Sequence, residues 1–548
     1  MINKKWDTYV TKGICIYFFL FLLYSLTGRI LPVNYFIGDK INQIIYLFFA
    51  VSGVVFIILD LVGGRYQFKG KYAKILYLFI GIMIISSLIN IKFGYVENLK
   101  TIVWTYIQIA LFYSLYTRIE KERLEKVLKI AFIILSTIWS MAVLISFLQF
   151  VLGDTYFYKY YQNGITGIRN QGIFDGRLYG IFNDPNFASV TSVYVLIMLV
   201  YLFTKRKKKG WNTIVYIDSI LLNYIFIFLS GSRTAIIALA GGMFVCIFLQ
   251  IKNKLLDKKR VFVYSTIVSF VCVLLFVMGG VLLKRESSKL PSLYQKYTST
   301  SRNHIVKGEV LVKLLRGRDD VKVYWNYSYE KEILPNIMSE DNGEEQISSK
   351  KNDKVDDNSE NSAVNTPSKE EIRKESRVNQ PLKENNSTLL VQRGDVKADN
   401  ITSNRTKIWK DYLKAMKGRY IIGTSPRNMM QYLEATGESE YVVERKYETH
   451  NGFLSLFVGC GIVGASIILI FVILVSKRVL KYSFRKDNIA NEFIFLFSIL
   501  AVVLIYTCAF TELFFVNNLT TTLFWTLLGS LWCWIDEGEK SASVENRM

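Results

Sequence analysis

Long apolar runs recur along most of this chain, and they restrict the fold more than any other feature of the sequence. About 20 apolar residues are enough to cross a bilayer as a helix. Because the hydrocarbon core offers the backbone no hydrogen bonds, a spanning chain must form helices or a closed barrel. Runs this long favour helices, and a hydrophobic share of 51% agrees. We therefore predict an all-α polytopic membrane protein with about 12 transmembrane helices.

The charged connections between the runs predict an orientation. The candidate spans lie near residues 14–31, 41–62, 75–91, 99–117, 130–152, 186–204, 212–230, 234–250, 261–283, 452–475, 489–511 and 518–535. Alternate connections are rich in Lys and Arg, and such connections remain in the cytoplasm. Both termini are then cytoplasmic, and the other connections lie outside. The net charge of +22 resides in these short clusters, so we expect no nucleic-acid partner.

One connection is much longer than the others. Residues 1–283 hold nine predicted spans, residues 452–535 hold three, and residues 536–548 form a predicted cytoplasmic tail. Residues 284–451 form a long extracytoplasmic loop between the ninth and tenth spans. No aromatic residue occurs between Tyr329 and Trp409, and such a segment buries too little apolar surface to fold. We expect a disordered insert at about 339–403.

Cysteine and leader patterns add little. The six cysteines lie in apolar stretches without metal-ligand spacing, so we expect no metal site, no cofactor and no disulfide framework. The first apolar run has no small-residue cleavage site after it, which predicts a retained first span.

Two short motifs place charge on the outer side. In GRLYGIFNDPN, Asp184 and Pro185 predict a helix start, which leaves Arg177 unexplained and Asn186 as a polar neighbour. In SGSRT, Arg233 enters the outer end of a span. Arginine near apolar segments is costly, and by default it marks a functional site. Interfacial snorkelling is the alternative for Arg233.

Two further motifs flank the end of the long loop. In NRTKIW, Arg405 lies in the first turn of a predicted helix, a poor place for a cation unless an anion lies nearby. In THNGFL, His450 precedes a span and Asn451 is a plausible helix cap. The chain has only two histidines, and His450 is the better candidate general base. Glu512, at the predicted outer end of the eleventh span, is a secondary candidate for orienting His450 or binding acceptor.

These motifs together resemble the O-antigen polymerase and O-antigen ligase family of bacterial membrane glycosyltransferases. The matching features, in order, are GIFNDPN, SGSRT, NRTKIW followed by IIGTSP, and THNGFL followed by a glycine-rich span. The resemblance covers roughly residues 176–464. The IIGTSP segment departs from the Gly-x-Gly that the family favours, and the insert is longer than expected.

The resemblance implies a function and a location. Family members take a glycan linked to undecaprenyl diphosphate as donor and pass it to a glycan acceptor at the outer face of the bacterial cytoplasmic membrane. A flippase and a chain-length regulator are further candidate partners. Arginines can neutralise the diphosphate leaving group without a metal. In this assignment His450 and Arg405 are catalytic, while Arg177, Arg233, Asn186, Asn451 and Glu512 bind substrate.

Several functions stay open on sequence alone. A polymerase joins one lipid-linked oligosaccharide to another, whereas a ligase transfers the glycan to a lipid core, a wall polymer or a protein. We favour the polymerase because that activity is more widespread. A transporter of an anionic solute is the alternative from another class, although no internal repeat supports it. A scaffold that uses the long loop as a docking arm is a third possibility.

Overall fold

The structure is a computed structural model of the chain. It describes residues 4–64, 70–152, 155–162, 165–174, 177–206, 210–255, 261–290, 321–326, 405–437, 440–444, 448–485, 489–509 and 513–545. The predicted insert at 339–403 and the candidate residue Glu512 therefore lie outside the described residues. So does much of the long loop, whose predicted boundaries stay predictions.

Helices dominate the described residues, and every predicted span contains one. Ten helices precede the long loop: α1 Lys4–Thr27, α2 Leu31–Ile37, α3 Asp39–Val62, α4 Ala73–Ile89, α5 Val96–Ile107, α6 Lys121–Leu152, α7 Pro185–Thr204, α8 Trp211–Leu229, α9 Arg233–Lys254 and α10 Val261–Ser287. Six more are described from residue 405 onward, the first three of them within the predicted loop: α11 Arg405–Ala415, α12 Met429–Thr436, α13 Glu440–Glu444, α14 Gly452–Arg485, α15 Asn491–Thr507 and α16 Leu519–Glu545. A π-helical turn and a 3-10 turn continue α5 through Gln108–Phe112 and Tyr113–Thr117.

Length and composition support an integral membrane protein. Among the described residues, 7 helices are long and apolar enough to cross a membrane: α1, α3, α6, α7, α9, α10 and α14. Three more, in α4, α8 and α15, are apolar but shorter. The full count of twelve spans stays a prediction.

The core of the bundle lies between α6, α7, α9, α15 and α16. Helix α7 is buried almost all round, with Tyr194 and Met198 at its centre. By contrast, α10 leaves Phe270 and Leu275 largely exposed, at 64% and 62%. An apolar face of this kind suits lipid, because the bilayer core is as apolar as these side chains.

The connection between α6 and α7 corrects the all-α prediction. It forms β1 Thr155–Gln162, β2 Ile165–Phe174 and β3 Arg177–Gly180. A fourth strand, β4 Val321–Asn326 from the long loop, completes an antiparallel sheet in the order β3-β2-β1-β4. Tyrosine and phenylalanine favour strands, and the tyrosine-rich composition of this segment carried that signal.

Ion pairs join the end of α16 to the basic connections. Lys71 lies 3.2 Å from Asp536, and Lys121 pairs with Glu537. Arg478 on α14 pairs with Glu539. Three basic segments from separate parts of the chain thus meet one acidic helix end. This arrangement agrees with the prediction that the basic connections share one side of the membrane.

Helix α14 is broken at Gly461, where φ is 64° and ψ is −170°. The backbone of residues 420–425 fills the break. Thr424 N and Ser425 N donate to the carbonyls of Val458 and Gly459 at 2.9 and 3.0 Å. Ile462 N in turn donates to the Tyr420 carbonyl at 2.7 Å. Because these contacts satisfy the freed backbone groups, non-helical backbone is tolerated inside the bundle.

Candidate active site

Arg177 connects the first two motifs. It begins β3, and its side chain is half-buried. Nε donates to the Ser230 carbonyl at 2.8 Å, and Nη2 donates to Asn186 Oδ1 at 2.8 Å. One guanidinium therefore ties the SGSRT turn to the start of α7. Its rigid fork of donors is suited to two separate acceptors.

The start of α7 confirms the predicted cap. Asp184 has an extended backbone, and its Oδ1 accepts hydrogen bonds from Asn186 N and Phe187 N at 2.7 and 3.2 Å. Pro185 occupies the first helical position. The cap fixes the backbone at Asn186, whose side chain accepts the hydrogen bond from Arg177.

Arg233 is the first residue of α9, and it is exposed. Ser232 caps this helix through a hydrogen bond from Ala235 N to its hydroxyl, at 3.4 Å. The turn before it, which includes Ser230, is buried and is held by Arg177. Arg233 therefore lies at the rim of the same region.

A tryptophan connects the third motif to the fourth. Trp409 lies one helical turn after Arg405 on α11, and its Nε1 donates to the Thr449 carbonyl at 2.8 Å. Thr449 is almost fully buried and immediately precedes His450. The Arg-x-x-x-Trp spacing thus places Arg405 within electrostatic range of His450.

The backbone at His450 has an unusual conformation. Its φ is 48°, in the left-handed region that non-glycine residues rarely adopt. Asn451 then caps α14, accepting hydrogen bonds from Phe453 N and Leu454 N at 3.0 Å each, which confirms the predicted cap. Thr449 Oγ1 also donates to the Asn451 carbonyl at 3.1 Å. Strained backbone held by several contacts is common at functional sites.

Electrostatics connect His450 to two other motifs. Burial lowers the pKa of His450, and the nearby Arg405 guanidinium lowers it further. The carboxylates of Glu448 and Asp184 act in the opposite direction. A lowered pKa keeps the imidazole neutral at neutral pH, and a neutral imidazole can accept a proton. The influence of Asp184 also places the start of α7 within electrostatic range of His450.

Arg405 is half-buried at the start of α11. Burial lowers its pKa from the usual arginine value, and Tyr506 on α15 opposes that effect. An arginine side chain remains protonated in a protein at neutral pH. A partly desolvated cation can bind an anionic oxygen strongly, because water screens it less.

The structure adds one arginine that the sequence analysis missed. Arg29 lies just after α1 and is only 8% exposed. It donates to the Phe187 carbonyl at 3.2 Å and to the hydroxyls of Thr191 and Thr520 at 3.4 and 3.3 Å. It thus joins the ends of α1, α7 and α16 behind the Asp184 cap. Its position inside a predicted span was the signal that could have revealed it.

The fold and the site together define a class of protein. The described part of the chain is a polytopic helical membrane protein in which Arg177 joins two motifs and Trp409 joins two others. Within that part, no three His, Cys, Asp or Glu side chains form a cluster that could hold a metal ion. The expectation of a metal-free site stays a prediction.

Comparison with known families agrees with the resemblance. Residues 219–469 match the family model described as O-antigen ligase. The matched region includes Arg233, Arg405 and His450 and begins after Arg177. The match confirms the resemblance to the O-antigen polymerase and ligase family, and it supports glycan transfer by a membrane glycosyltransferase-like enzyme from a lipid-linked substrate. A search of curated proteins returned no match.

Proposed function

We propose that this protein polymerises undecaprenyl-diphosphate-linked oligosaccharides into a surface polysaccharide at the outer face of the bacterial cytoplasmic membrane. The observation that carries the proposal is the Trp409–Thr449 hydrogen bond, which holds the helix of Arg405 against the segment of His450, so that the two side chains lie within electrostatic range. A base and a cation at one position are what glycosyl transfer from a diphosphate requires.

His450 is the general base in this proposal. It takes the proton from the acceptor hydroxyl, whose oxygen then attacks the anomeric carbon in line with the departing diphosphate. The new glycosidic bond forms as the bond to the diphosphate oxygen breaks, so the configuration at the anomeric carbon inverts. The lowered pKa of His450 supports this role, because the residue is already neutral when the acceptor arrives.

Arg405 neutralises the leaving diphosphate, and Arg233 contributes charge at the rim of the site. Guanidinium groups bind phosphate oxygens in pairs and need no metal. Arg177 and Asn186 shape the wall of the site through their hydrogen bond, and Asn451 holds the start of α14 below His450. Removing one such stabilising group from an enzyme site typically costs about two to three orders of magnitude in rate.

Ligase activity is the second candidate, because the matching family model is described as O-antigen ligase. Both activities use the same donor and the same leaving group. They differ in the acceptor, which is a second lipid-linked glycan in one case and a lipid core, wall polymer or protein in the other. The acceptor that supports turnover therefore distinguishes them.

The test is transfer by the purified full chain in lipid, with His450→Ala and Arg405→Ala as variants. A ladder of products that disappears in both variants is expected for a polymerase with this site. A single product that requires an added foreign acceptor would instead establish a ligase. Movement of a labelled solute across the membrane without any transfer would overturn the enzyme assignment.

A further inference from the structure

One cavity of the bundle has chemistry different from that of the candidate active site. It lies between α3, α4, α5, α16 and the 513–517 segment, and its volume is about 30 Å³. Its lining includes Trp104, Gln108, Phe514, Asn517 and Trp525. This volume has room for about two waters, so it is too small for a sugar ring but suits a small flat substituent.

Two buried amides in this cavity are only partly satisfied. Gln108 is 1% exposed, and its Nε2 donates to Asn517 Oδ1 at 2.8 Å and to Thr522 Oγ1 at 3.1 Å. In the described part of the chain, Gln108 Oε1 and Asn517 Nδ2 are buried without a hydrogen-bond partner. Leaving such groups unsatisfied is unfavourable, because each buried polar atom has lost its hydration without gaining a hydrogen bond. The O and N atoms of an amide side chain can be assigned either way round. If both amides were turned over, one buried acceptor and one buried donor would still lack a hydrogen-bond partner.

The local backbone is also unusual at two points. Gln108 begins the π-helical turn that continues α5, and such turns are frequent at functional sites. Phe515 has a φ of 62°, which is rare for a residue with a side chain. Two strained or irregular segments therefore face one cavity, as is common where backbone strain serves a site.

The lining is neutral, and this excludes a phosphate as the preferred occupant. Every described residue that lines the cavity is an aromatic, aliphatic, hydroxyl or amide residue. A buried anion without a cationic partner would be strongly disfavoured. A neutral group with one hydrogen-bond donor, one acceptor and an apolar end fits far better.

One wall of the cavity contacts the start of α14, the helix that follows His450. The Phe514 ring packs against the Phe453 ring, with centroids 5.8 Å apart, and Phe453 lies three residues after His450. On another side, Thr521 lines the cavity and directly follows Thr520, which accepts from Arg29. A glycan held at His450 could therefore extend a substituent into the cavity.

We propose that this cavity recognises the acetamido group of an N-acetylated amino sugar in the glycan substrate; the inference rests on the proposed glycan transfer. The amide N–H donates to Gln108 Oε1, and Asn517 Nδ2 donates to the acetamido carbonyl oxygen. The methyl group packs on Trp104 and Trp525. One donor, one acceptor and an apolar methyl match the three features of the cavity.

The test measures sugar binding and does not depend on catalysis. The full chain in lipid nanodiscs is mixed with the methyl glycoside of N-acetylglucosamine or of glucose, and saturation-transfer NMR reports which protons contact protein. We expect saturation of the acetamido methyl, with weak transfer to the glucose glycoside. Gln108→Leu and Asn517→Leu should each weaken binding about fivefold, the effect of losing one hydrogen bond.

Two controls separate the possible failures. Gln149→Leu makes the same change at another buried glutamine, on α6 and outside this cavity, and should leave binding unchanged. His450→Ala should abolish transfer but keep methyl saturation. Asn517→Leu keeps the test decisive if Gln108→Leu does not fold. Equal binding of both glycosides, or binding that survives both cavity variants, would overturn the inference while leaving the transfer proposal intact.

Discussion

The Trp409 indole donates a 2.8 Å hydrogen bond to the Thr449 carbonyl, and this contact connects two motifs that are 40 residues apart in sequence. It fixes the first turns of α11 against the segment that carries His450. The contact explains physically why an arginine, three intervening residues and a tryptophan occur in that order. The tryptophan anchors the helix, and the arginine one turn earlier lies within electrostatic range of His450.

Trp409→Phe tests this anchor. Phenylalanine keeps the aromatic packing but cannot donate to Thr449, so we expect a loss of about 1 kcal/mol in stability. The shift of Arg405 relative to His450 should lower the transfer rate on the order of tenfold. Trp6→Phe, at an exposed position near the N-terminus, is the matched control and should change neither quantity. A Trp409→Phe enzyme with full activity would show that the hydrogen bond does not position the site.

The pKa of His450 can be measured directly, because the chain has only two histidines. His304→Gln leaves a single imidazole signal for NMR titration. Burial and Arg405 lower the pKa of His450, so it should titrate below the ordinary value of about 6.5. Because Arg405 lowers this pKa, Arg405→Gln should raise it. Glu448 raises it, so Glu448→Gln should lower it further.

The pKa of His450 should also determine how the transfer rate depends on pH. If neutral His450 is the base, activity falls as the pH drops through its pKa. The acid limb of the rate profile should therefore lie below about pH 6.5 in the wild type and move to lower pH in Glu448→Gln. If Glu448→Gln changed the pKa of His450 by NMR but left the acid limb of the rate profile unchanged, another group would be the base.

Hydropathy and charge predicted much of the fold, and the exceptions have physical causes. The helix caps at Asp184 and Asn451 follow from local chemistry, because a short polar side chain reaches the first free N–H groups of its own helix. In the sheet, β1, β2 and β3 pair with their sequence neighbours, and their tyrosine-rich composition was the local signal that the analysis did not use. Only the pairing of β1 with Val321–Asn326 joins distant segments and leaves no local signal.

In the candidate site, too, one part could be predicted from the sequence and another part could not. The arginine and histidine motifs could be identified one at a time, from charges that are costly beside apolar segments. Their assembly could not, since the contacts from Arg177 to Ser230 and from Trp409 to Thr449 depend on tertiary packing. The neutral cavity at Gln108 had no sequence signal at all, because a glutamine in an apolar run is read as a tolerated polar residue.

Arg177→Lys tests whether geometry or charge matters at the first motif. Lysine keeps the charge but cannot reach Ser230 and Asn186 together with a rigid fork. Hydrogen bonds from charged donors are worth about 1.5–3 kcal/mol, so thermal unfolding should occur at a clearly lower temperature. Arg233→Lys, at the exposed start of α9, should unfold like the wild type. Equal unfolding temperatures for the two variants would contradict a structural role for the Arg177 fork.

Gly461→Ala tests the break in α14, which holds the 420–425 segment in place. At a φ of 64° a side chain is strained, and an added Cβ would lie 2.2 Å from the backbone oxygen of Ile421. That oxygen belongs to the 420–425 segment. Neither this segment nor α14 can move away without losing the hydrogen bonds across the break. The left-handed conformation alone costs about 1–2 kcal/mol for a residue with a Cβ, and the clash adds to it.

The matched control for this change is Gly81→Ala on α4, where an added Cβ has no neighbour within 4 Å. Alanine should be neutral or slightly stabilising there, because glycine is the poorer helix former by about 1 kcal/mol. Thermal unfolding in detergent, with the monodisperse yield, measures both variants. We expect Gly461→Ala to lose most folded protein and Gly81→Ala to lose none. If Gly461→Ala unfolded like the wild type, α14 would be continuous through this position, and the 420–425 segment would have to bind elsewhere.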